Sequence, residues 1–334
     1  MVSRAFLDRL WYTDGPLSKL LLPLSWLFAA LVHVRRIAYA AGVIPVRRLP
    51  VPVIVVGNLT VGGTGKTPLI IWLAQFLKKS GFRPGIVSRG YRGRARKWPQ
   101  QVRPDSNPEM VGDEPVLIAQ RTGCAVAVSP NRLVGARELV EHTKCNILLC
   151  DDGLQHLALA RDIEIAVVDG DRRFGNGHCL PAGPLREPAS RLHSVDAVVA
   201  NARAGKYEHL MEYESGPLRS LRDDARRTSL DAFRGQGVHA VAGIGNPQRF
   251  FSYLRSHELH IIKHEFPDHH PYVPEDLAFG DDLPVVMTEK DAVKCREFAG
   301  EDFWYLPISA RLAQTFEHRL TILLKDLNVG QETA

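Results

Sequence analysis

The stretch VIVVGNLTVGGTGKTP, residues 53–68, decides the fold of this chain. Its apolar start has no polar alternation, which predicts a strand buried on both faces of a sheet. Gly62, Gly63 and Gly65 follow, and they let the backbone turn tightly with its N–H groups exposed. Pro68 falls in the first turn of a helix, where its missing N–H costs little. Strand, glycine loop and helix start together predict a phosphate-binding loop.

The residues beside these glycines supply the chemistry of nucleotide binding. Lys66 can reach the β- and γ-phosphates, and the hydroxyl of Thr67 can bind Mg²⁺. The common pattern G-x-x-x-x-G-K-[ST] has glycine where this chain has Thr60, so only the entry to the turn differs. The sequence therefore predicts a nucleotide site that uses Mg²⁺. Its predicted phosphate cradle consists of Thr60, Gly62, Gly63, Thr64, Gly65, Lys66 and Thr67.

Length and composition indicate how many domains the protein has, which partners it favours and which compartment it occupies. With 334 residues, 45% hydrophobic and 24% charged, the chain can bury a sizeable core and is long enough for about two domains. Its net charge of +5 favours anionic partners such as phosphates, nucleic acid or acidic lipid surfaces. The five cysteines form no C-x-x-C pair, so we expect buried thiols in a reducing compartment, without disulfides or a zinc site.

Strands and helices alternate along most of the chain after residue 48. This order predicts an α/β fold, a P-loop NTPase-like and mainly parallel sheet flanked by helices. A polar, charged stretch at residues 207–234 suggests a connection to a second, smaller α/β domain. We predict an N-terminal helical segment at 1–48, a kinase core at 49–225 and a smaller domain at 226–334.

Residues 20–34 form an apolar run flanked by cationic side chains. A full bilayer span needs about 20 such residues, so this run is short for a transmembrane helix. An interfacial anchor fits better, with Trp26 and Phe28 entering the acyl boundary. Two alternatives stay open: a signal peptide with a cleavage site at residues 38–41, or a helix packed on the protein's own core.

Two acidic residues end a second apolar run, NILLCDDGLQH at residues 146–156. A carboxylate at the end of a strand beside a phosphate-binding loop can hold Mg²⁺ directly or through water. Asp151 and Asp152 are therefore predicted metal ligands together with Thr67.

The segment RGYRGRARK, residues 89–97, is strongly basic and too rich in glycine for a regular helix. It is either a solvated loop or a clamp for anionic groups, because arginine binds phosphate oxygens in pairs. Nucleic acid is disfavoured as the partner, since Tyr91 is the one aromatic side chain available for stacking and no binding motif accompanies it.

Seven motifs in order carry a resemblance to a known family: TVGGTGKTP, SRGYRG, VGDEP, DDGLQH, GPLREP, FPDHHPY and TEKDAVK. Behind an N-terminal apolar helix, this series closely resembles the tetraacyldisaccharide 4'-kinases of the lipid A pathway in Gram-negative bacteria. The resemblance runs from the N-terminal helix to about residue 294, and the family's loop accepts threonine at position 60.

The resemblance implies transfer of the γ-phosphoryl group of ATP, with Mg²⁺, to the 4'-hydroxyl of an acylated glucosamine disaccharide 1-phosphate. The implied partners are this lipid and a membrane surface, with neither nucleic acid nor an obligate protein partner. The implied location is the cytoplasmic face of the inner membrane, as a peripheral or monotopic protein.

The resemblance also assigns roles to residues that the physical reading leaves unpaired. Asp113 of VGDEP and His269 of FPDHHPY would orient and deprotonate the attacking hydroxyl, and Lys66 would stabilise charge on the transferred group. The proposed acceptor-binding residues are Arg89, Arg92, Arg94, Arg186 and Glu187.

Two other classes of function remain as alternatives. A P-loop GTPase or ATPase switch, or a metallochaperone, would act through a protein partner, and nucleotide preference would distinguish it. TEKD, residues 288–291, places its lysine one position late for the guanine-specifying motif, which disfavours a GTPase. A membrane adaptor without enzymatic activity would keep full cellular function after Lys66→Ala.

Overall fold

The computed structural model describes residues 4–332, with side chains from residue 6 to residue 327. Its strands, in chain order, are β1 (Val53–Gly57), β2 (Pro84–Ser88), β3 (Gln100–Val102), β4 (Ala125–Val128), β5 (Ile147–Asp151), β6 (Ile163–Asp169), β7 (Ala197–Asn201), β8 (His209–Ser215), β9 (Leu218–Ser220), β10 (Arg227–Thr228), β11 (Gly237–Ala242), β12 (His260–Glu265), β13 (Val285–Thr288), β14 (Phe303–Leu306) and β15 (Ile308–Leu312).

Helices lie between most of these strands and at both ends of the described chain. They are α1 (Arg4–Tyr12), α2 (Pro16–Leu20), α3 (Leu22–Ala40), α4 (Lys66–Lys79), α5 (Pro108–Val111), α6 (Asp113–Thr122), α7 (Arg132–His142), α8 (Pro247–Ser256), α9 (Glu289–Cys295) and α10 (Gln314–Glu332).

The larger sheet has nine strands in the order β15-β8-β7-β6-β1-β5-β2-β4-β3. All neighbours are parallel except the two edge pairs, β3 with β4 and β15 with β8. Every residue of β1, β2 and β5 is buried, which explains why these runs lack polar alternation. The predicted α/β fold with a mainly parallel sheet is confirmed.

The smaller sheet has six strands in the order β10-β9-β14-β13-β11-β12. β14, β13, β11 and β12 are parallel, while β9 and β10 close one edge in the antiparallel direction. Helix α8 packs its apolar side, including Phe251 and Leu254, into the core of this sheet.

The two sheets divide the chain differently from the predicted boundary at residues 225 and 226. β8 lies in the larger sheet and β9 in the smaller one, so the stretch at 207–234 contributes strands to both sheets. The chain then returns, because β15 pairs with β8 and Phe316 of α10 lies in the larger core. Since the backbone N–H of Gly216 donates to the carbonyl of Pro307, at 3.0 Å, residues 217–306 form an insertion between two adjacent strands.

Helix α3 packs one side on the larger domain and leaves the other exposed. The hydroxyl of Ser25 donates to the carbonyl of Cys179 at 2.7 Å, and Phe28 packs against the core. The sequence had suggested that Phe28 belongs to an exposed anchor, but its side chain packs on the core instead. Trp26 is 66% exposed and Leu31 is 61% exposed. Among the described residues, no helix combines the length and apolar character needed to cross a bilayer.

Candidate active site

The predicted phosphate-binding loop connects β1 to α4 at the carboxyl end of the sheet. Gly65 lies at the start of α4 with a φ of 85°, in the left-handed region. A Cβ at this position would lie 2.0 Å from the hydroxyl oxygen of Tyr213, so backbone conformation and space both require glycine. The loop therefore presents its N–H groups at the beginning of a helix, which is where phosphate binds in proteins.

Thr60 has a structural role that accounts for its departure from the common motif. It forms an isolated antiparallel bridge with Leu185, and the N–H of Val61 donates to the carbonyl of Pro184 at 2.8 Å. An extended residue in a bridge suits a β-branched side chain, so glycine is not needed there. The GPLREP segment thereby fixes the entry of the loop.

Lys66 is held by two groups at the floor of the loop. Its Nζ donates to Oδ1 of Asn58 at 2.9 Å and lies 3.3 Å from Oδ1 of Asp152. Asn58 in turn donates to the carbonyl of Thr60. These contacts position the ammonium beside the loop, which reduces the cost of ordering it for phosphate binding.

The two aspartates after β5 have different environments. Burial, followed by the carboxylate of Glu114, raises the pKa of Asp151 to about 6. Burial also acts to raise the pKa of Asp152, but Lys66 and Arg186 outweigh it and lower that pKa to about 2. Oδ2 of Asp151 accepts from Ser88, whereas its buried Oδ1 has no partner among the residues that the structure describes. Of the two carboxylates, Asp151 is therefore the one with an oxygen available to bind a cation.

The predicted dyad forms although its members are 156 positions apart. Nδ1 of His269 lies 2.9 Å from both carboxylate oxygens of Asp113. Asp113 begins α6, and only 5% of it is exposed. His269 lies in the loop after β12 with a φ of 62°, and its backbone N–H donates to Gly243. Backbone strain of this kind is common at functional sites.

The carboxyl group of Asp113 is ionised at neutral pH. Burial opposes ionisation, but Lys290, the hydrogen bond from His269 and Lys294 hold the pKa of Asp113 well below its usual range. An ionised carboxylate can only accept hydrogen bonds, so Nδ1 of His269 carries the hydrogen. The other ring nitrogen, Nε2, is then left to accept a proton.

The predicted acceptor-binding residues separate into two groups. Arg89, Arg92 and Arg186 line the same cleft as the loop and the dyad, and Nη1 of Arg92 donates to the carbonyl of Asp268. Arg94 and Glu187 do not line it. The side chain of Glu187 is 3% exposed and lies near Arg191 and Arg36, where it accepts from Gln155.

One cleft of about 590 Å³ brings the predicted groups together. The phosphate-binding loop, both strand-end aspartates and the dyad lie along it, with apolar side chains such as Ile244 and Phe250 at its walls. Within the described residues, no three His, Cys, Asp or Glu side chains are gathered closely enough to hold a metal by themselves. A metal bound here would need oxygens from phosphate or water.

Sequence reasoning missed several contacts in this site. Asn58 holds Lys66, and Lys290 lies 3.3 Å from Nε2 of His269. Asn201, at the end of β7, donates to the carbonyl of Thr64. Their positions in the sequence could have identified the two asparagines. Asn58 directly follows a buried strand and Asn201 ends one, and the carboxyl ends of these parallel strands meet at one edge of the sheet.

Fold and site together define a P-loop nucleotide-binding protein with a paired histidine and aspartate in the same cleft as the phosphate loop. A family model described as Tetraacyldisaccharide-1-P 4'-kinase matches residues 17–325. A tetraacyldisaccharide 4'-kinase from Nitrosococcus oceani is 55% identical over 317 residues, covering 95% of this chain and 94% of the relative. Another from Methylobacillus flagellatus is 51% identical over 328 residues, covering 96% and 97%.

A solved structure agrees with these relatives. It is described as an "apo" form of LpxK from Aquifex aeolicus in complex with ATP, and it matches with a TM-score of 0.78 and 30% identity, over 93% of this chain and 99% of that chain. The chain belongs to the tetraacyldisaccharide-1-P 4'-kinase family. The resemblance that the seven motifs carried is confirmed.

Proposed function

We propose that this protein transfers the γ-phosphoryl group of ATP to the 4'-hydroxyl of a tetraacyldisaccharide 1-phosphate. The observation that carries the proposal is one cleft holding both a phosphate-binding loop and the Asp113–His269 pair. Membership of the kinase family supports the substrate, and the ATP named for the related structure supports the nucleotide. The reaction requires only the nucleotide, the metal and the lipid, without a protein partner.

The loop binds and orients the nucleotide. Backbone N–H groups between Gly62 and Lys66 face the phosphates, and the ammonium of Lys66 stabilises charge that develops on the transferred group. In phosphoryl transfer, most of the rate comes from such positioning and electrostatics. Loss of Lys66 therefore removes both binding energy and stabilisation of the transition state.

The donor set fits Mg²⁺, a hard cation that prefers oxygen ligands. Asp151 and the hydroxyl of Thr67 would hold it, and the unpartnered Oδ1 of Asp151 is the observation that supports this fit. Asp152 is paired with Lys66 and Arg186, so it orients those cations and would contribute to the metal site only indirectly. When bound, the metal neutralises phosphate charge and aligns the γ-phosphoryl group.

The dyad activates the acceptor. Asp113 holds the Nδ1–H of His269, so Nε2 accepts the proton of the 4'-hydroxyl as its oxygen attacks the γ-phosphorus. The bond from that phosphorus to the bridging oxygen of ATP breaks, and ADP leaves. His269 then returns its proton to solvent.

Substitution tests the dyad. His269→Ala and Asp113→Ala should each lower kcat by about 10²- to 10⁴-fold and change ATP affinity little. Because the two residues act as a unit, the double variant should lose about as much as either single variant. Independent, multiplicative losses in steady-state assays would contradict the assignment.

We propose direct acceptor contact for the three arginines that line the cleft: Arg89, Arg92 and Arg186. Arg92→Met should raise KM for the lipid and leave KM for ATP unchanged, because its charge meets anionic headgroup oxygens. Arg94→Met, outside the cleft, is the matched control. The reverse pattern, a raised KM for ATP alone, would place the arginine at the nucleotide.

We also propose that the exposed side of α3 lies on the cytoplasmic face of the inner membrane, as a peripheral or monotopic contact. Its apolar side chains have no cover among the described residues, and arginines flank them. Trp26→Glu with Leu31→Glu should abolish flotation with anionic vesicles and leave the melting temperature unchanged. Tyr207→Glu, which alters an even more exposed residue elsewhere, is the control. Undiminished flotation of the α3 variant would exclude this surface.

A further inference from the structure

The TEKD segment, which fails as a guanine motif, begins helix α9 at the edge of the cleft. The hydroxyl of Thr288 accepts from the N–H of Asp291 and caps the helix. The carboxylate of Asp291 is buried and accepts from Thr288, Lys294 and the N–H of Gly243. These contacts fix the first turn of α9 and therefore the position of the side chain between them, Lys290.

Lys290 projects into the cleft among acidic groups. Its Nζ lies 2.8 Å from Oε1 of Glu114 and 3.2 Å from Oδ1 of Asp268. Burial works against the ammonium, but Glu114, Asp113 and Asp268 raise the pKa of Lys290 well above its usual range. The side chain is therefore a fixed positive charge, held in place by two carboxylates.

This charge lies against the base. Nζ of Lys290 is 3.3 Å from Nε2 of His269, the ring nitrogen that Asp113 does not contact. An ammonium has hydrogens to donate and no lone pair to accept with. Nε2 must therefore be the unprotonated nitrogen in this contact, and Nδ1, which faces the carboxylate of Asp113, carries the hydrogen.

We propose that Lys290 is a positioning residue for the phosphoryl transfer: it keeps Nε2 of His269 unprotonated until the acceptor hydroxyl takes its place. The inference rests on the proposed role of His269 as the base. At the start of the reaction the hydroxyl displaces the ammonium from Nε2, and Lys290 stays bound to Glu114 and Asp268. No bond forms or breaks in this exchange, which replaces one hydrogen bond by another.

The charges around the imidazole explain why a cation is needed. Helix α6 presents two carboxylates, Asp113 and Glu114, and Asp268 precedes the histidine in its own loop. Against these, α9 presents Lys290 at the ring and Lys294, which lies 3.9 Å from Asp113. Arg92 donates to the carbonyl of Asp268 and lies over the ring of Tyr91, and that ring lies edge-on to the imidazole. Removing Lys290 leaves the ring among carboxylates, which favour the imidazolium.

The pH dependence of kcat/KM tests this role, because its acid limb reports protonation of the base in the free enzyme. In Lys290→Met we expect the acid limb to move up by about one pH unit, so that activity falls about tenfold at pH values below the limb and little at pH 9. Lys290→Arg keeps the charge and should keep the limb near its wild-type position. An equal loss at every pH in Lys290→Met, or no loss, would overturn the proposal.

Two further measurements separate this inference from the dyad itself. If Lys290→Met adds no further loss to the low residual activity of His269→Ala, Lys290 acts through the histidine; multiplicative losses would overturn that. A fully active His269→Ala would remove the dyad and this inference together. In wild-type protein with ¹⁵N-labelled histidine, assigned by comparison with His269→Ala, Nε2 should be unprotonated at pH 7. A protonated Nε2 would contradict the proposal without any lysine variant.

Discussion

At the scale of single residues, His156 shows how one partly buried ring makes the stability of the molecule depend on pH. Burial, followed by Arg132, Arg161 and Arg35, lowers the pKa of His156 from 6.5 to about 4. Its Nε2 is buried and has no hydrogen-bond partner among the described residues. The folded protein therefore keeps this ring neutral where the unfolded chain would protonate it.

The sign of the resulting pH dependence follows from proton binding. Between pH 6.5 and pH 4 the unfolded chain binds more protons at His156, so the free energy of unfolding falls as the pH falls through this window. His156→Gln should reduce the loss of stability between pH 7 and pH 5 by about 1 kcal/mol, after allowance for solvent screening of a half-buried ring.

Urea unfolding at the two pH values measures this difference. His318→Gln, which removes an exposed histidine of α10, is the matched control and should leave the pH dependence as in wild type. A parallel loss of stability in wild type and His156→Gln would show that the ring is charged in the folded protein.

The residues that sequence could predict are those whose chemistry is local. Lys66 could be predicted because a strand, a glycine loop and a helix start position it within a few residues, and Asp151 because it ends a separate apolar strand. The pairing of Asp113 with His269 rested on family resemblance, since periodicity cannot join residues 156 positions apart. Lys290 was missed because its role depends on the packing of α9 against α6.

At the scale of elements, helix α6 of the larger domain contacts helix α9 of the smaller domain beside the cleft. Nη1 of Arg121, in α6, donates to both carboxylate oxygens of Glu289, at 2.7 and 2.8 Å. Glu289 also accepts from the N–H of Ile308, and Arg121 donates to Ser309. Together with the pairs Asp113–His269 and Glu114–Lys290, this contact holds His269 against the loop half of the cleft.

Breaking this pair from one side should be costly, because both side chains are mostly buried. Arg121→Met leaves the charge of Glu289 without its partner and should lower the free energy of unfolding by about 3 kcal/mol. Arg121→Met with Glu289→Met should recover part of that loss, which denaturant unfolding of the three variants would measure. Additive destabilisation would show that the two side chains are not coupled.

Element positions were well predicted where burial is uniform and less well where it alternates. The central strands stand out as apolar runs, so their location followed from composition alone. β15 is a short edge strand with alternating exposure, and β8 lies in a charged stretch that resembles a connection. Pairing between two such strands depends on the whole sheet and is not visible in either segment.

At the scale of the whole molecule, the smaller domain is an insertion between β8 and β15. The larger core includes Phe316, Leu320 and Leu324 of α10, which come from the chain after the insertion. A fragment that stops at residue 225 therefore lacks both an edge strand and part of its core. This arrangement also places His269 and Lys290 on a domain that is tied to the kinase core at two adjacent points.

Excision of the insertion tests this architecture. Replacing residues 217–306 by a short glycine linker should give a folded, cooperatively unfolding and inactive protein, because the ends to be joined are hydrogen-bonded neighbours. The fragment 1–225 should unfold without a cooperative transition in circular dichroism. A cooperative 1–225 fragment beside an unfolded excision variant would contradict the insertion.

Transfer of labelled γ-phosphate from Mg-ATP to tetraacyldisaccharide 1-phosphate in detergent tests the central claim most directly. Wild type should give labelled bisphosphorylated lipid, and Lys66→Ala should give none, because the ammonium beside the phosphate loop is lost. No labelled lipid, with nucleotide hydrolysis that does not depend on the acceptor, would contradict the kinase function and favour a nucleotide switch.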